Sequence, residues 1–232
     1  MSSVKTGYDQ AVVMAAPRSG TRYMAYLLRE CGLDASHELT IEHKRAYEVT
    51  VNYKAHMEVA RDLIKPNTIL FHQVRDPLKQ MSSWWSVLQD EHLRYPDKPI
   101  KEYCGGNGNV ARFCEKYIWD DPTCSMAHWY FWNKEIEHTI QDLPFCIRYN
   151  VEDVGVPVIE LFFDCLGKKL DIEKCKEALK RQRKDEHNLE EVFKFNGVHS
   201  RGKRIDLTWA DFNESELRDN VMSMADTYGY DT

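Results

Sequence analysis

Residues 11–22 read AVVMAAPRSGTR, an apolar run of Ala11, Val12, Val13 and Met14 that gives way to Pro17-Arg18-Ser19-Gly20-Thr21-Arg22. Beyond it, Met24, Leu27, Leu28 and Cys31 fall on one face of a helical period, so the stretch predicts a buried strand, a tight loop and a helix. A loop entering a helix leaves the first N–H groups without intrahelical carbonyls, and the helix dipole adds positive potential there, so an oxyanion fits. Gly20 lets the backbone come close, and Ser19 and Thr21 supply hydroxyls. Arg18 and Arg22 bracket the loop with permanent cations that can fork onto phosphate or sulfate oxygens. The GxxxxGK[ST] form of ATP-cleaving P-loops is missing, for neither its first glycine nor its lysine is present. For this segment taken alone, a strand-to-helix turn with two solvated arginines stays open beside anion binding.

A second segment bears on that choice. Residues 68–83, TILFHQVRDPLKQMSS, begin with the strand-like run Ile69, Leu70, Phe71 and Val74. Pro77 then suits the first turn of a helix whose apolar positions are Leu78, Met81, Trp85 and Leu88. Arg75 is thereby set at the carboxyl end of a strand, where open α/β sheets bind ligands, and Ser83 follows about two helical turns later. In isolation Arg75 and Asp76 read as a salt-bridged strand end; beside the first loop they read as a second anion contact.

With both segments in view, the chain resembles the sulfotransferases that use 3′-phosphoadenosine 5′-phosphosulfate (PAPS). Pro17-Arg18-Ser19-Gly20-Thr21-Arg22 is similar to that family's 5′-phosphosulfate loop, PxSGTT, with Arg22 in place of the second Thr. Arg75-Asp76-Pro77 with Ser83 matches the spacing of its 3′-phosphate segment. IRYNVEDV at residues 147–154, followed by LFFDCLGKKL, looks like its "RYEDL … FLG" stretch, although two extra residues separate Tyr149 from Glu152. Tyr149 is accordingly read as a plain core or surface tyrosine rather than an adenine contact. His199-Ser200-Arg201-Gly202-Lys203 is similar to the late basic segment that closes on the 3′-phosphate. The four matches occur in family order from about residue 11 to about residue 205, which makes them more specific together than singly.

The resemblance implies an α/β fold with a P-loop-like central parallel sheet flanked by helices, the three-layer α/β/α sulfotransferase fold. It implies transfer of a sulfuryl group from PAPS to an acceptor hydroxyl or amine, with release of adenosine 3′,5′-bisphosphate (PAP) and no metal. Nucleotide contacts are then expected from Arg18, Ser19, Gly20, Thr21, Arg22, Arg75, Ser83, Arg201, Gly202 and Lys203. Sulfuryl transfer needs an in-line acceptor, a base for its proton and cations for charge on the leaving side. Arg18 suits the leaving oxygens, yet as an arginine it is a poor proton donor. Ala35-Ser36-His37-Glu38 resembles a "GHE" stretch of bacterial and phage-type relatives, which makes Glu38 the first candidate base and His37 the second. A solvated Glu38 with a packing His37 stays open, as do Glu42 and His43. His56, His72 and His92 show no ligand spacing.

The chain has 232 residues, enough for one substantial core, so residues 1–232 are expected to form one sulfotransferase domain. Its start, MSSVKTGYDQ, is polar and no apolar run reaches the length of a membrane span, which predicts a cytoplasmic protein with no membrane partner. Seven cysteines without a CxxC pair predict reduced thiols rather than a disulfide frame or zinc site. A net charge of −6 argues against broad nucleic-acid affinity, so a basic pocket for the nucleotide must be local, and the family resemblance implies a small-molecule or carbohydrate acceptor.

Further along, residues 95–109 are turn-rich and read as a surface excursion or an acceptor lid. Residues 123–141 predict an aromatic helix with Trp129 and Trp132 in the core, and a strand is expected at 145–149. Helices are expected at 156–166, 172–183 and 214–228. Three other readings stand beside the enzyme: a nucleotide or nucleoside kinase, a noncatalytic nucleotide-binding homologue, and an interaction module that kept only the fold. The acceptor and the oligomeric state are not written in the sequence.

Overall fold

The computed structural model describes residues 7–37, 47–52, 67–95, 97, 112, 121–141, 145–185, 205–213 and 215–232. Five strands form one parallel sheet: β1 (Gln10–Ala15), β2 (Ala35–His37), β3 (Val49–Asn52), β4 (Thr68–Val74) and β5 (Cys146–Asn150), in the order β2-β3-β1-β4-β5. The helices are α1 (Thr21–Cys31), α2 (Pro77–Arg94), α3 (Thr123–Ile140), α4 (Val156–Cys165), α5 (Ile172–Asp185) and α6 (Ser215–Thr227).

Alternation along the strands sorts the core into two layers, because successive side chains leave opposite faces of a sheet. Val12, Met14, Leu70 and Val74 face Met81, Trp84, Trp85 and Leu88 of α2, Trp129 and Trp132 of α3, and Leu217, Val221 and Ala225 of α6. Ala11, Val13, Val49, Val51, Ile69 and Phe71 face Met24, Leu27, Leu28 and Cys31 of α1, Ile159 and Phe162 of α4, and Cys175 and Ala178 of α5. The result is the expected three-layer α/β/α arrangement. Both tryptophans expected in the core, Trp129 and Trp132, are fully buried.

Helix ends follow their sequence signals. Asp76 caps α2 by accepting the Lys79 N–H at 2.8 Å, with Pro77 in the first turn. Gly32 ends α1 in a left-handed conformation, φ 108°, with its N–H on the Arg29 and Leu28 carbonyls. Strand β5 and helices α4, α5 and α6 lie within a few residues of their expected bounds. The sequence pattern does not predict strands β2 and β3. They are three and four residues long, and such short runs carry little periodicity. The five described cysteines, Cys31, Cys124, Cys146, Cys165 and Cys175, are free thiols. Among the described residues no helix is long and apolar enough to cross a membrane.

The strand order decides where a ligand can sit. From β1 the chain moves to β2 and β3 on one side, then crosses to β4 on the other. α1 leaves β1 toward one face of the sheet and α2 leaves β4 toward the other. The two loops therefore diverge at the carboxyl ends of adjacent strands and open a crevice at the topological switch point.

Candidate functional site

The loop from Pro17 to Thr21 leaves β1 at that crevice. Arg18 has φ 69°, the one positive value at a non-glycine among the described residues, and Gly20 has φ 82° as the residue before α1. Left-handed residues in such a turn form the backbone concavities that accept phosphate. Gly20 cannot be replaced cheaply: a Cβ there would lie 3.0 Å from Val151 Cγ2 as well as straining φ. Lacking a side chain, it provides no cap, so the helix presents its first N–H groups and its positive dipole end at the crevice.

Two buried glutamines hold this loop. Gln80 of α2 donates to the Pro17 carbonyl at 3.0 Å and accepts the Ser19 hydroxyl at 2.8 Å. Gln73 of β4 donates its amide N–H to the Ser19 carbonyl and accepts the Tyr149 hydroxyl at 2.6 Å. Gln73 and Tyr149 are register partners on adjacent strands, which brings the two side chains together. Tyr149 is thus a core residue, edge-on to Phe71 and Phe162, and its hydroxyl is committed to loop support. Neither glutamine was singled out in the sequence. Both are polar residues at helix or strand positions that the fold buries completely, and no local sequence pattern marks them.

The two anion segments meet here. Arg75 Nη1 donates to the Arg18 carbonyl at 2.7 Å, and Arg18 Nε donates to Ser83 Oγ at 3.1 Å. Trp129 Nε1 donates to the Arg75 carbonyl at 3.2 Å, which ties α3 to the same strand end. Arg18, Arg75 and Ser83 are all part-exposed, whereas Ser19 is buried with its hydroxyl turned to Gln80. Arg22 is exposed on the first turn of α1.

His37 ends β2 beside the loop, with Nε2 3.0 Å from Thr21 Oγ1. Burial, with help from the Arg22 and Arg29 guanidinium groups, pulls its imidazole down to about 4. At neutral pH it is therefore uncharged and holds the Thr21 hydroxyl through a ring nitrogen. Glu38, Glu42, His43, Arg201, Gly202 and Lys203 lie outside the described residues, as does nearly all of residues 95–109. Described structure resumes at Ile205, and there α2 takes hold of the chain: Ile205 N–H donates to Ser86 Oγ at 3.0 Å and Leu207 N–H to Ser82 Oγ at 2.9 Å.

No family model matches the chain. No curated protein matches it in sequence. Among solved structures, the mouse sulfotransferase SULT7A1 complexed with PAP is similar with a TM-score of 0.56 at 9% identity, over 98% of this chain and 87% of that one. The sulfotransferase domain from the curacin biosynthetic pathway aligns over 99% of each chain at 13% identity, with a TM-score of 0.47. The likeness to the mouse enzyme shows the fold: a five-stranded parallel sheet flanked by helices, as in a sulfotransferase.

Proposed function

We infer that this protein is a sulfotransferase that uses PAPS and releases PAP. The observation that carries the reading is the junction of Arg18, Arg75 and Ser83, which joins the loop before α1 and the strand end before α2 into one cationic surface. A nucleotide bearing anionic groups at both its 5′ and 3′ positions suits such a surface; a mononucleotide with one anionic end would use only half of it. The missing P-loop lysine argues in the same direction, away from a kinase.

The donor supplies an activated sulfuryl group whose S–O bond to phosphate breaks as a bond to the acceptor oxygen or nitrogen forms. The chain's own part is electrostatic and positional. In this reading the loop N–H groups and Arg18 take the charge left on the phosphate, with the Thr21 hydroxyl oriented by His37. Arg75 and Ser83 hold the 3′-phosphate, joined by Arg201, Gly202 and Lys203. Glu38 is assigned the acceptor's proton. His37, whose Nε2 already meets the Thr21 hydroxyl, stays second.

Thermal melting tests the donor. PAP should raise the melting temperature without metal, while ATP with magnesium should not, since a ligand that binds only the folded state stabilises it. No shift and no calorimetric heat at roughly millimolar PAP, where about −4 kcal/mol of binding would register, removes the reading. With PAP binding established, labelled sulfate transfer from PAPS to acceptor libraries identifies the acceptor. Glu38→Gln should then lower turnover by about 10²–10⁴ with PAP affinity kept. A near-normal rate would move the base to His37, tested as His37→Gln.

A further inference from the structure

Behind Arg75 stands a carboxylate. Glu152 lies in the short 3-10 turn Val151–Asp153 that follows β5, an exposed residue, with Oε1 4.0 Å from Arg75 Nε. A carboxylate beside an arginine that is to bind phosphate is a competitor, because the planar guanidinium pairs with either in the same bidentate fashion. Here the fork is not closed. Oε1 accepts the Asp76 backbone N–H at 3.3 Å, and Oε2 accepts the Tyr230 hydroxyl at 2.8 Å.

Tyr230 is brought to Glu152 by the way α6 ends. Gly229 turns the chain with φ 84°, Tyr230 N–H returns to the Ala225 carbonyl at 3.0 Å, and Asn150 Nδ2 donates to the Tyr228 carbonyl at 3.1 Å. The last turn is thus pinned to the end of β5, with the phenol over the carboxylate. Burial and the negative charges of Glu152, Asp76 and Asp153 push the phenol far up, so it remains a donor at any working pH.

We propose that Tyr230 is a positioning residue for nucleotide selectivity: by occupying Oε2 it holds Glu152 toward the Asp76 N–H and keeps it from closing a bidentate pair with Arg75. Arg75 then keeps its grip on the Arg18 carbonyl and can pair with a 3′-phosphate in place of Glu152. The proposal rests on the nucleotide reading above. Its distinguishing consequence is that loss of one phenolic oxygen is felt through the carboxylate, and removal of the carboxylate's charge undoes the loss.

Calorimetry on the full chain tests this with PAP and with adenosine 5′-phosphosulfate, which lacks the 3′-phosphate. Tyr230→Phe should weaken PAP about five- to tenfold, the scale of one hydrogen bond's net worth, and leave adenosine 5′-phosphosulfate within about twofold. Adding Glu152→Gln should restore PAP binding. Unchanged PAP affinity in Tyr230→Phe, equal weakening of both nucleotides, or no recovery in the double variant would each overturn the proposal. If the unaltered protein binds no PAP, the nucleotide reading itself fails. The crystal structure of ligand-free Tyr230→Phe then decides the local claim: Glu152 swung onto the Arg75 guanidinium supports it, and Glu152 still on the Asp76 N–H overturns it.

Discussion

Replacing Gln73 by Leu removes the central brace of the loop while nearly conserving volume. Gln73 is fully buried and makes two hydrogen bonds, donating to the Ser19 carbonyl and accepting the Tyr149 hydroxyl. Leu satisfies neither. Two buried polar groups are left without partners at about 1–3 kcal/mol each, and the apolar replacement returns about 1 kcal/mol, so the net loss should be about 1–5 kcal/mol. Tyr149→Phe alone should cost about 1–3 kcal/mol, because it strands the Gln73 carbonyl oxygen. In the Gln73→Leu background the same change should instead stabilise, since the phenol has already lost its acceptor. Urea unfolding of the four proteins, followed by circular dichroism with constant slope, measures this cycle. PAP titration adds a second axis: Tyr149→Phe leaves the Gln73 amide on the Ser19 carbonyl and should spare binding, whereas Gln73→Leu should weaken it. If Tyr149→Phe costs the same in both backgrounds, Gln73 does not couple the strand to the loop and the reasoning fails.

Arg75→Ala should weaken PAP by about 2–4 kcal/mol and adenosine 5′-phosphosulfate by about 1 kcal/mol, because Arg75 also supports the Arg18 carbonyl; calorimetry with both nucleotides checks it. Ser83→Ala should cost PAP less, about 1 kcal/mol for one lost neutral hydroxyl, and should leave adenosine 5′-phosphosulfate nearly unchanged. Arg18→Gly should be more stable than Arg18→Ala by about 1 kcal/mol in urea, since only glycine takes a positive φ without strain; equal stability would mean that the loop relaxes. Burial lowers two imidazoles, His128 to about 3 and His37 to about 4. The unfolded chain binds their protons near the ordinary value of 6.5, so it gains protons first and stability falls as pH drops from 6.5 toward 4. Each histidine contributes a slope of up to about 1.4 kcal/mol per pH unit. His128→Phe, which keeps the stack on Trp84, should flatten unfolding free energies measured between pH 7 and pH 5, as judged against the unaltered protein; an unchanged slope counts against the buried neutral ring.

The local pattern of the chain determined a good deal by itself. An apolar run breaking at Pro17 and resuming with helical period at Met24 has one economical reading, since a strand and a helix differ in the spacing of buried side chains. The same holds for the pair of segments around Arg75, and for the long helices, where many periods accumulate. Short strands left no such trace. β3 exists because β1 offers it a parallel partner, with Ala11 opposite Val49, and β2 because β3 does the same, with Ala35 opposite Val49, non-local pairings that no window of sequence contains. Tertiary structure also decided what the polar residues do. Ser19 reads as a ligand donor in the loop, yet its hydroxyl is turned inward to Gln80, 61 residues away. Gln73 and Gln80 read as ordinary polar residues, yet they carry the loop, because a buried amide must find a donor and an acceptor and the loop carbonyls supply the need. Tyr230 and Glu152 are 78 residues apart and meet only because α6 ends against β5. Periodicity encodes which face of an element is buried, but partnership between polar groups depends on where distant elements cross, and only the assembled sheet specifies that.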